Sequence, residues 1–330
     1  MDIDGDGHPD LLSGSWPGEL FLFRGAADRS FAAPEMIKNK NGEIINVAGG
    51  IGNHPEGEGI LIRGTTQWET TAEGTFVIYQ GKRFESTPEK PVATSGTAST
   101  AHAADWDGDG DFDLLVGEFH GSVHLVPNEG TAKSCAFGKE RPMQAAGRAV
   151  RVNGKAAPFA ADWDGDGDLD LIVGTDDGSV VLFRNTGART TPELAAPVQL
   201  VGPSEVRYGV PVPKEVRRGS RSKICVADWN GDGRPDLLVG DRTDQKPDRP
   251  EPTPEEKAKQ EQIRKELEPL EKQMGELFQK LYGSSRVRTT DEKNKVREEI
   301  DELSKRTRPL RAQLPRESET HGWVWLFLRK

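Results

Sequence analysis

The chain has few of the residues that build disulfide frameworks, zinc sites or membrane spans. Its 330 residues include two cysteines and six histidines, too few for a disulfide scaffold or a repeated Cys/His zinc site. We predict that Cys225 lies in an apolar core strand and Cys135 in a loop, and a disulfide between them is left open. No run of 18 apolar residues occurs, so no membrane span is predicted, and no signal peptide is visible.

Sequence motifs of common catalytic sites are also missing. The chain has no C-x-x-C-H haem motif, G-x-S-x-G nucleophile elbow, phosphate-binding loop or H-E-x-x-H zinc motif. We therefore predict no catalytic residue and no organic cofactor, and a non-enzymatic role is favoured. A net charge of −10 and a pI near 5.3 disfavour nucleic acid as a partner, because nucleic acids are bound by basic surfaces.

One short acidic pattern is present in four copies: DIDGDGHPD, DWDGDGDFD, DWDGDGDLD and DWNGDGRPD. We call them acidic loops one to four (residues 2–10, 105–113, 162–170 and 228–236). Positions 1, 3, 5 and 9 carry a carboxylate or an amide: Asp2, Asp4, Asp6 and Asp10; Asp105, Asp107, Asp109 and Asp113; Asp162, Asp164, Asp166 and Asp170; Asp228, Asn230, Asp232 and Asp236. Position 7 is His8, Asp111, Asp168 or Arg234, and these dissimilar side chains favour a backbone carbonyl ligand there.

Acidic residues at alternate positions of a tightly curled loop place several oxygens around one point. Glycines between them, such as Gly108 and Gly110, allow the backbone angles of the curl. Crowded carboxylates repel one another unless a cation lies between them. An all-oxygen ligand set of flexible geometry is typical of Ca²⁺, whereas Zn²⁺ prefers His or Cys. The loops therefore predict three to four calcium ions, and the alternative is an acidic, solvated turn without an ion.

Two other calcium motifs do not fit these loops. An EF-hand needs a bidentate Glu at loop position 12 and a flanking helix on each side, but that position is Val116 or Val173, inside an apolar run. The glycine-rich nonapeptides of calcium β-helices follow one another without a gap, whereas these loops lie tens of residues apart.

The spacing of the loops predicts a repeated fold. The interval between loops one and two is about twice as long as the later intervals. We therefore expect a further unit near residues 43–85 whose metal loop has degenerated, with the apolar strands of 59–81 corresponding to those of 113–130. A typical unit reads as four short strands with a glycine turn, as at Asp177-Gly178, which is the pattern of a β-propeller blade. The predicted fold class is all-β, a propeller with about five readable blades.

The D-x-[DN]-G-D-G-x-x-D-[LI] pattern followed by L-V-G resembles the FG-GAP or VCBS repeat, the blade of integrin-α-like calcium-binding propellers. The resemblance covers residues 1–245 and the closing strand near 319–330. It implies a β-propeller in which the loop Asp and Asn residues are the calcium ligands. Integrin-type propellers have seven blades. Because residue 1 opens directly on acidic loop one, we expect further N-terminal sequence or a strand supplied by the other end of the chain.

Residues 246–318 interrupt the repeats. A Pro-rich, charged lead-in (KPDRPEPTPEE) excludes a strand. Apolar residues then recur at alternating spacings of three and four, which predicts two helices that fold back on each other: Ile263, Leu267, Leu270, Met274, Leu277 and Leu281, then Val296, Ile300, Leu303, Thr307, Leu310 and Leu314. A turn is expected at Gly283–Ser285, and Pro269 and Pro309 interrupt the pattern and are expected to kink or end helical segments. This insertion is either a docking or dimerisation element or a hairpin packed on the propeller rim.

These observations predict a calcium-stabilised propeller that binds a protein or polysaccharide without chemistry of its own, as in adhesion scaffolds. The alternatives are a polysaccharide-lyase-like enzyme and a module of a larger surface protein. Millimolar extracellular Ca²⁺ suits modular sites, so an extracellular, cell-surface or periplasmic location is expected. Repetition of Trp106, Trp163 and Trp229 at loop position 2 favours packing over sugar stacking, whereas Trp68, Trp323 and Trp325 are candidates for a binding face.

Overall fold

A computed structural model of the chain describes residues 1–55, 57–71, 73–87, 89–213, 217–282 and 290–330. The described residues form many small β-sheets and two helices. This confirms the mostly β class and the helical interruption. No helix within the described ranges is both long and apolar enough to cross a membrane.

Four sheets contain or follow the acidic loops, and we call them repeat sheets one to four. Sheet one consists of β1 (Leu11–Gly14), β2 (Leu20–Phe23) and β3 (Glu35–Met36). In the segment that precedes sheet two, the strands are β4 (Gly50–Asn53), β5 (Ile60–Arg63), β6 (Gln67–Thr71), β7 (Gly74–Tyr79), β8 (Lys82–Glu85) and β9 (Val92–Ser95).

Sheets two and three are four-stranded antiparallel meanders. Sheet two consists of β10 (Thr100–Ala104), β11 (Asp113–Gly117), β12 (Val123–Val126) and β13 (Arg141–Pro142), and it is followed by the two-stranded pair β14 (Gln144–Ala145) and β15 (Arg148–Ala149). Sheet three consists of β16 (Ala157–Ala161), β17 (Asp170–Gly174), β18 (Val180–Phe183) and β19 (Val198–Val201). Every residue of β11 and β17 is buried, as their continuous apolar sequence predicts.

Sheet four is completed by residues that lie beyond the insertion. Its first strands are β20 (Ser220–Ala227) and β21 (Asp236–Gln245). Two C-terminal strands, β22 (Glu319–His321) and β23 (Val324–Phe327), both pair antiparallel with β21. The register Leu238↔Leu326 corresponds to Ile172↔Leu182 in sheet three, so the last strand closes sheet four and is not supplied to sheet one.

Consecutive repeat sheets pack face to face. Sheet one packs directly on sheet two through a core that includes Leu20 and Leu114. Sheet two packs on sheet three through Leu125 and Leu171, and sheet three packs on sheet four through Leu182 and Leu237. The hydrophobic core is therefore a series of similar layers between neighbouring sheets.

The residue at loop position 2 enters the next layer. Ile3 and Trp106 are 2% and 5% exposed within the cores that follow their loops, and Trp163 packs against the next core as well. The packing role expected of the repeated tryptophans is thus confirmed for Trp106 and Trp163. Trp229 is different, because its side chain is 63% exposed.

Residues 50–95 are paired differently from the repeat sheets. β5 lies between β4 and β9, and its pairing with β9 is parallel. β6, β7 and β8 form a separate antiparallel sheet. By analogy with 113–130, the two apolar strands of 59–81, β5 and β7, were expected to pair with each other. They do not, because β5 pairs with β4 and β9 while β7 pairs with β6 and β8. The structure builds this segment as two three-stranded sheets and not as one meander.

The insertion folds into helices α1 (Pro254–Tyr282) and α2 (Thr290–Arg311). Thr253 caps α1: its hydroxyl accepts the Glu256 N–H at 3.2 Å, and the Glu256 carboxylate accepts the Thr253 N–H at 2.8 Å, as in a capping box. The helices are antiparallel, because Leu281 packs near Val296 while Glu271 pairs with Arg311 at 2.9 Å. Helix α1 continues well past Pro269, whereas α2 ends two residues after Pro309. The turn expected at Gly283–Ser285 lies outside the described residues.

Neither cysteine is in a disulfide. Cys225 was expected in the core, but it is exposed because it lies on the side of β20 that faces away from the core contacts of Ile224 and Val226. Cys135 is half-buried, and its thiol lies 3.2 Å from the Ile3 carbonyl oxygen, so it contributes to the layer between sheets one and two.

Candidate metal centres in the acidic loops

The acidic loops occupy the same place in every repeat sheet. Loops two, three and four connect the first strand of a sheet to its second strand, as between β10 and β11, and loop one leads directly into β1. Each loop curls around the carboxylate at position 1. Asp162 accepts the Gly165 N–H at 2.7 Å with one oxygen and the Gly167 N–H at 3.0 Å with the other.

Loop four repeats this curl, with Asp228 accepting from Gly231 at 2.8 Å and from Gly233 at 2.9 Å. In loops one and two, Asp2 accepts from Gly7 at 2.9 Å and Asp105 from Gly110 at 3.3 Å. The glycines have positive φ values, for example 76° at Gly231 and 82° at Gly233, a region that glycine enters without strain.

Position 5 is tied to position 7 in all four loops. The position-5 side chain accepts the backbone N–H of position 7 at 2.8–3.1 Å, and the pairs are Asp6 with His8, Asp109 with Asp111, Asp166 with Asp168 and Asp232 with Arg234. The backbone of position 7 therefore belongs to the curl whatever its side chain is. That the backbone carbonyl of position 7 is a metal ligand remains a prediction.

Three loops bring carboxylate oxygens together. In each of them, one oxygen from each of three residues lies within 4.8 Å of the others, and the groups are Asp2, Asp4 and Asp6; Asp105, Asp107 and Asp109; and Asp162, Asp164 and Asp170. The other predicted ligands, Asp10, Asp113, Asp166 and the loop-four residues Asp228, Asn230, Asp232 and Asp236, are not part of these groups. In loop four, an amide replaces the carboxylate at position 3.

Loops two and three contain buried acceptor atoms without a partner. One oxygen of Asp107 and one oxygen of Asp164, both at position 3, are buried and accept no hydrogen bond. A buried carboxylate oxygen without a donor costs free energy unless another positive group contacts it. The donor set is entirely oxygen, which Ca²⁺ prefers. Loops two and three therefore fit a hard divalent cation.

Burial and mutual repulsion act on the same carboxylates. Burial, with added repulsion from Asp109, Asp107 and Asp105, raises the pKa of Asp111 to about 6. Burial is also the main reason why the pKa of Asp113 is raised to about 7, with a further contribution from Asp107. The negative charge gathered in loop two is thus electrostatically unfavourable in the way that a bound cation relieves.

Arginines neutralise part of the loop charge. Arg24 pairs with Asp4, Arg184 Nε lies 3.1 Å from Asp164 Oδ2, and Arg189 lies 2.8 Å from Asp105. Arg24 directly follows β2 and Arg184 directly follows β18, so each belongs to the same sheet as its loop. Arg189, in contrast, comes from the sheet that packs on loop two. A loop is therefore covered partly by its own sheet and partly by the next.

The position-9 carboxylate has a structural role that the sequence did not reveal. In loop three, Asp170 accepts the Trp163 N–H at 2.9 Å with one oxygen and the Asn185 N–H at 2.7 Å with the other. Each of the other loops has the same pair of bonds: Ile3 and Gly25 donate to Asp10, Trp106 and Asn128 to Asp113, and Trp229 and Arg329 to Asp236. These carboxylates are 0–6% exposed, so each one ties its loop to the end of a neighbouring strand.

The sequence carries a regular spacing that corresponds to this arrangement. The donor lies fifteen residues after the position-9 Asp in loops one, two and three. In sheets two and three it opens an N-x-G triplet, in which Asn128 Oδ1 accepts the Gly130 N–H at 3.1 Å and Asn185 Oδ1 accepts the Gly187 N–H at 3.0 Å. An Asn repeated at a fixed distance from a repeated Asp is thus the sequence pattern that marks this contact.

Comparison with known proteins supports the repeat assignment over part of the chain. The family described as FG-GAP-like repeat matches residues 162–239, which span loops three and four, so the resemblance to this repeat is confirmed there. No curated protein matches the chain.

Two solved structures are similar to the chain at a low level. A lectin of Agrocybe aegerita that recognises non-reducing terminal N-acetylglucosamine has 17% identity and a TM-score of 0.30, over 72% of this chain and 59% of the lectin. The periplasmic gluconolactonase PpgL of Pseudomonas aeruginosa has 19% identity and a TM-score of 0.28, over 73% of this chain and 64% of that protein. The chain thus spans less than two thirds of either relative.

Proposed function

We propose that the chain is a calcium-binding scaffold of β-propeller type in which Ca²⁺ stabilises the acidic loops. The observation that carries this proposal is the buried, unpartnered carboxylate oxygen at Asp107 and at Asp164, each in a residue grouped with two other carboxylates. When bound, the ion supplies the positive charge that these oxygens lack. Loops two and three are the strongest sites, and loops one and four bring the number of ions to three or four.

The residues that would hold the ions are those at positions 1, 3 and 5, with the position-7 carbonyl, although in loop three the grouped carboxylates are Asp162, Asp164 and the position-9 residue Asp170. Position 9 serves mainly to anchor the loop, because both of its oxygens already accept backbone N–H groups. Each ion would hold a loop against the strand that follows it. Calcium is therefore proposed to stabilise the scaffold and not to take part in a reaction.

The partner is proposed to be a protein or a polysaccharide, bound without chemistry, as in adhesion proteins that carry such repeats. The acidic overall charge supports a partner other than nucleic acid. Millimolar calcium outside the cell would fill loops of moderate affinity, which supports an extracellular, cell-surface or periplasmic location. The antiparallel pair of α1 and α2 stands outside the repeat sheets and is proposed as a docking element for the partner.

Titration calorimetry with CaCl₂, together with thermal unfolding in Ca²⁺ and in EDTA, tests the metal proposal. We expect binding to three or four sites and a melting temperature that falls in EDTA. D107N and D164N should each remove one high-affinity site, whereas D301N on the exposed face of α2 should change neither property. Unchanged binding in both loop variants, or a melting temperature insensitive to EDTA, would contradict the proposal.

A lyase acting on acidic polysaccharides is the second candidate. Such an enzyme would need a base beside a metal with an open position. The arginines at the loops, Arg24, Arg184 and Arg189, are paired with carboxylates, and a guanidinium stays protonated in proteins, which disfavours them as the base. Formation of unsaturated products from uronate polymers, followed by ultraviolet absorbance in the presence of Ca²⁺, would decide in favour of the enzyme.

A further inference from the structure

The three interfaces between consecutive repeat sheets share one construction. One sheet contributes the residue at position 2 of its acidic loop and two side chains of the second strand after that loop (β2, β12 or β18). We call this side of the sheet its leading face. The residues are Ile3, Leu20 and Leu22 in sheet one; Trp106, Val123 and Leu125 in sheet two; and Trp163, Val180 and Leu182 in sheet three. The strand registers show that these positions are equivalent.

The following sheet receives them on its opposite side, which we call the trailing face. In sheet two this face includes Leu114 and Phe137, which are 0% and 6% exposed. In sheet three it includes Leu171 and Leu194, which are 0% and 5% exposed. Leu114 and Leu171 follow the position-9 Asp directly, and Phe137 and Leu194 form equivalent β-bridges with Asn128 and Asn185.

Sheet four carries a complete leading face that none of the described residues covers. The equivalent residues are Trp229, Val324 and Leu326, which are 63%, 71% and 41% exposed. At the same positions, Leu20, Leu22, Val123, Leu125, Val180 and Leu182 are at most 6% exposed. Sheet four therefore exposes three large apolar side chains at positions whose equivalents in sheets one, two and three pack against the following sheet.

Sheet one lacks a strand before its acidic loop, but it carries the rest of the matching trailing face, which is also open. Leu11 follows Asp10 directly and is 48% exposed, and Phe31, which bridges to Gly25, is 52% exposed. Because Leu11 and Trp229 are both exposed in the same chain, the two faces do not cover each other. Each of them is half of an interface that the chain makes between its own sheets.

Charge at the two faces is complementary as well. The covering sheet places a basic residue over the acidic loop: Lys133 lies against Gly5 of loop one, and Arg189 pairs with Asp105 of loop two. In sheet one the corresponding turn carries Arg29, four residues after Gly25 as Arg189 is four residues after Asn185. Loop four, with residues 228–234 all exposed, presents the carboxylates for such a contact.

We propose that the leading face of sheet four binds the trailing face of sheet one in a second copy of this chain. The interface is head-to-tail, so it uses two different patches and allows rings or chains of copies to form. Its centre is Trp229, Val324 and Leu326 against Leu11 and Phe31, with Arg29 over acidic loop four. The internal interface between sheets two and three is the template for this contact.

Sedimentation velocity and light-scattering chromatography of the full chain in Ca²⁺, over a range of concentrations, test the proposal. We expect the wild type to self-associate. V324E and L11E should each weaken self-association by on the order of a hundredfold, because each places a charge in an apolar contact. An equimolar mixture of V324E and L11E should form 1:1 dimers, since the intact trailing face of V324E can still bind the intact leading face of L11E.

I51E is the matched control, because Ile51 is as exposed as Leu11, at 48%, but lies on β4 outside both faces. Its self-association should equal that of the wild type. Circular dichroism and thermal unfolding of each variant verify the fold, and W229S and F31S provide milder changes on the same two faces. A wild type that stays monomeric at every concentration overturns the proposal and leaves the faces to another protein. Self-association of L11E at wild-type strength, or a V324E and L11E mixture that stays monomeric, overturns the head-to-tail arrangement.

Discussion

Asp236 and Arg329 are 93 positions apart in the chain, yet the Arg329 backbone N–H donates to Asp236 Oδ1 at 2.8 Å. The same bond spans fifteen residues in the other repeat sheets, as between Asp170 and Asn185. The helical insertion therefore leaves the geometry of sheet four unchanged. It enters and leaves where Gln245 pairs with Glu319, so the repeat closes as if the helices were absent.

Removal of the insertion should accordingly leave the repeat sheets folded. Since Gln245 and Glu319 are directly paired, replacing residues 246–318 with Asn-Gly makes a two-residue hairpin turn of a favoured type. We expect the helical circular dichroism signal to disappear while calcium binding is kept. The melting temperature should change little. Loss of cooperative unfolding would instead mean that α1 and α2 support the sheets.

The position-9 carboxylate should matter for stability even without metal. D170A leaves the buried N–H groups of Trp163 and Asn185 without an acceptor, and each such loss costs about 1–3 kcal/mol. We expect urea unfolding in EDTA to show a destabilisation of about 2–5 kcal/mol. D166A is the control, because Asp166 is exposed, and it should reduce calcium affinity with little effect in EDTA. Equal stability of the two variants in EDTA would refute the anchoring role.

Loop four should gain calcium affinity when its amide is replaced. Asn230 stands where the other loops have Asp4, Asp107 and Asp164, and it provides no charge to balance a cation. N230D restores the carboxylate, and we expect calcium affinity at this loop to rise by about tenfold, equivalent to about 1.4 kcal/mol. Calorimetry in a D107N/D164N background isolates the weaker sites. An unchanged titration would show that loop four is an ion-free turn.

Equivalent tryptophans should differ in their contribution to stability. Trp106 is buried between sheets two and three, whereas Trp229 is 63% exposed. W106A should therefore reduce the unfolding free energy by about 3–5 kcal/mol, and W229A should change it by less than about 0.5 kcal/mol. Denaturation at low protein concentration, where any association is negligible, gives the comparison. Similar losses in both variants would contradict the burial assigned to Trp106.

His102 should make the protein less stable in mild acid. Burial lowers the pKa of His102 to about 4, whereas the unfolded chain takes up this proton near pH 6.5. The unfolded state thus binds more protons than the folded state between these pH values. The contribution of His102 to stability is therefore complete above pH 6.5 and is lost as the pH decreases towards 4. Between pH 7 and pH 5, the stability of wild type relative to H102Q should fall by about 2 kcal/mol. The comparison with H102Q is needed because the raised pKa values of Asp111 and Asp113 stabilise the fold over the same pH range in both proteins. H120Q, altered at an exposed histidine, should behave like wild type in the same urea titrations.

Local patterns in the sequence predicted much of the fold. Alternating Asp and Gly identified the curl in which Asp162 accepts from Gly165 and Gly167, because such loops are specified by residues close in sequence. The apolar repeats of α1 and α2 were equally informative, since Leu267, Leu277 and Leu303 are buried as their spacing required. Pro269 does not end its helix, because α1 continues to Tyr282, whereas α2 ends close to Pro309, at Arg311.

Contacts between distant segments were harder to predict. Nothing local in residues 60–63 favours parallel pairing with residues 92–95, because the partner strand is chosen by tertiary packing. The exposure of Cys225 depended on which side of β20 faced the core, and its apolar neighbours did not decide that. The Asp170–Asn185 bond was missed for another reason: its fixed spacing was visible only when two copies were compared residue by residue.

The 93-residue separation of Asp236 and Arg329 also sets an order of events during synthesis on the ribosome. The carboxylates of loops one to three meet their donors fifteen residues later, so each of these sheets can close soon after it leaves the exit tunnel. β21 emerges with an unpaired edge and keeps it while the whole helical insertion is translated. A nascent chain that stalls within the helices exposes this edge, which makes the interval before residue 319 the stage most open to chaperone binding or aggregation.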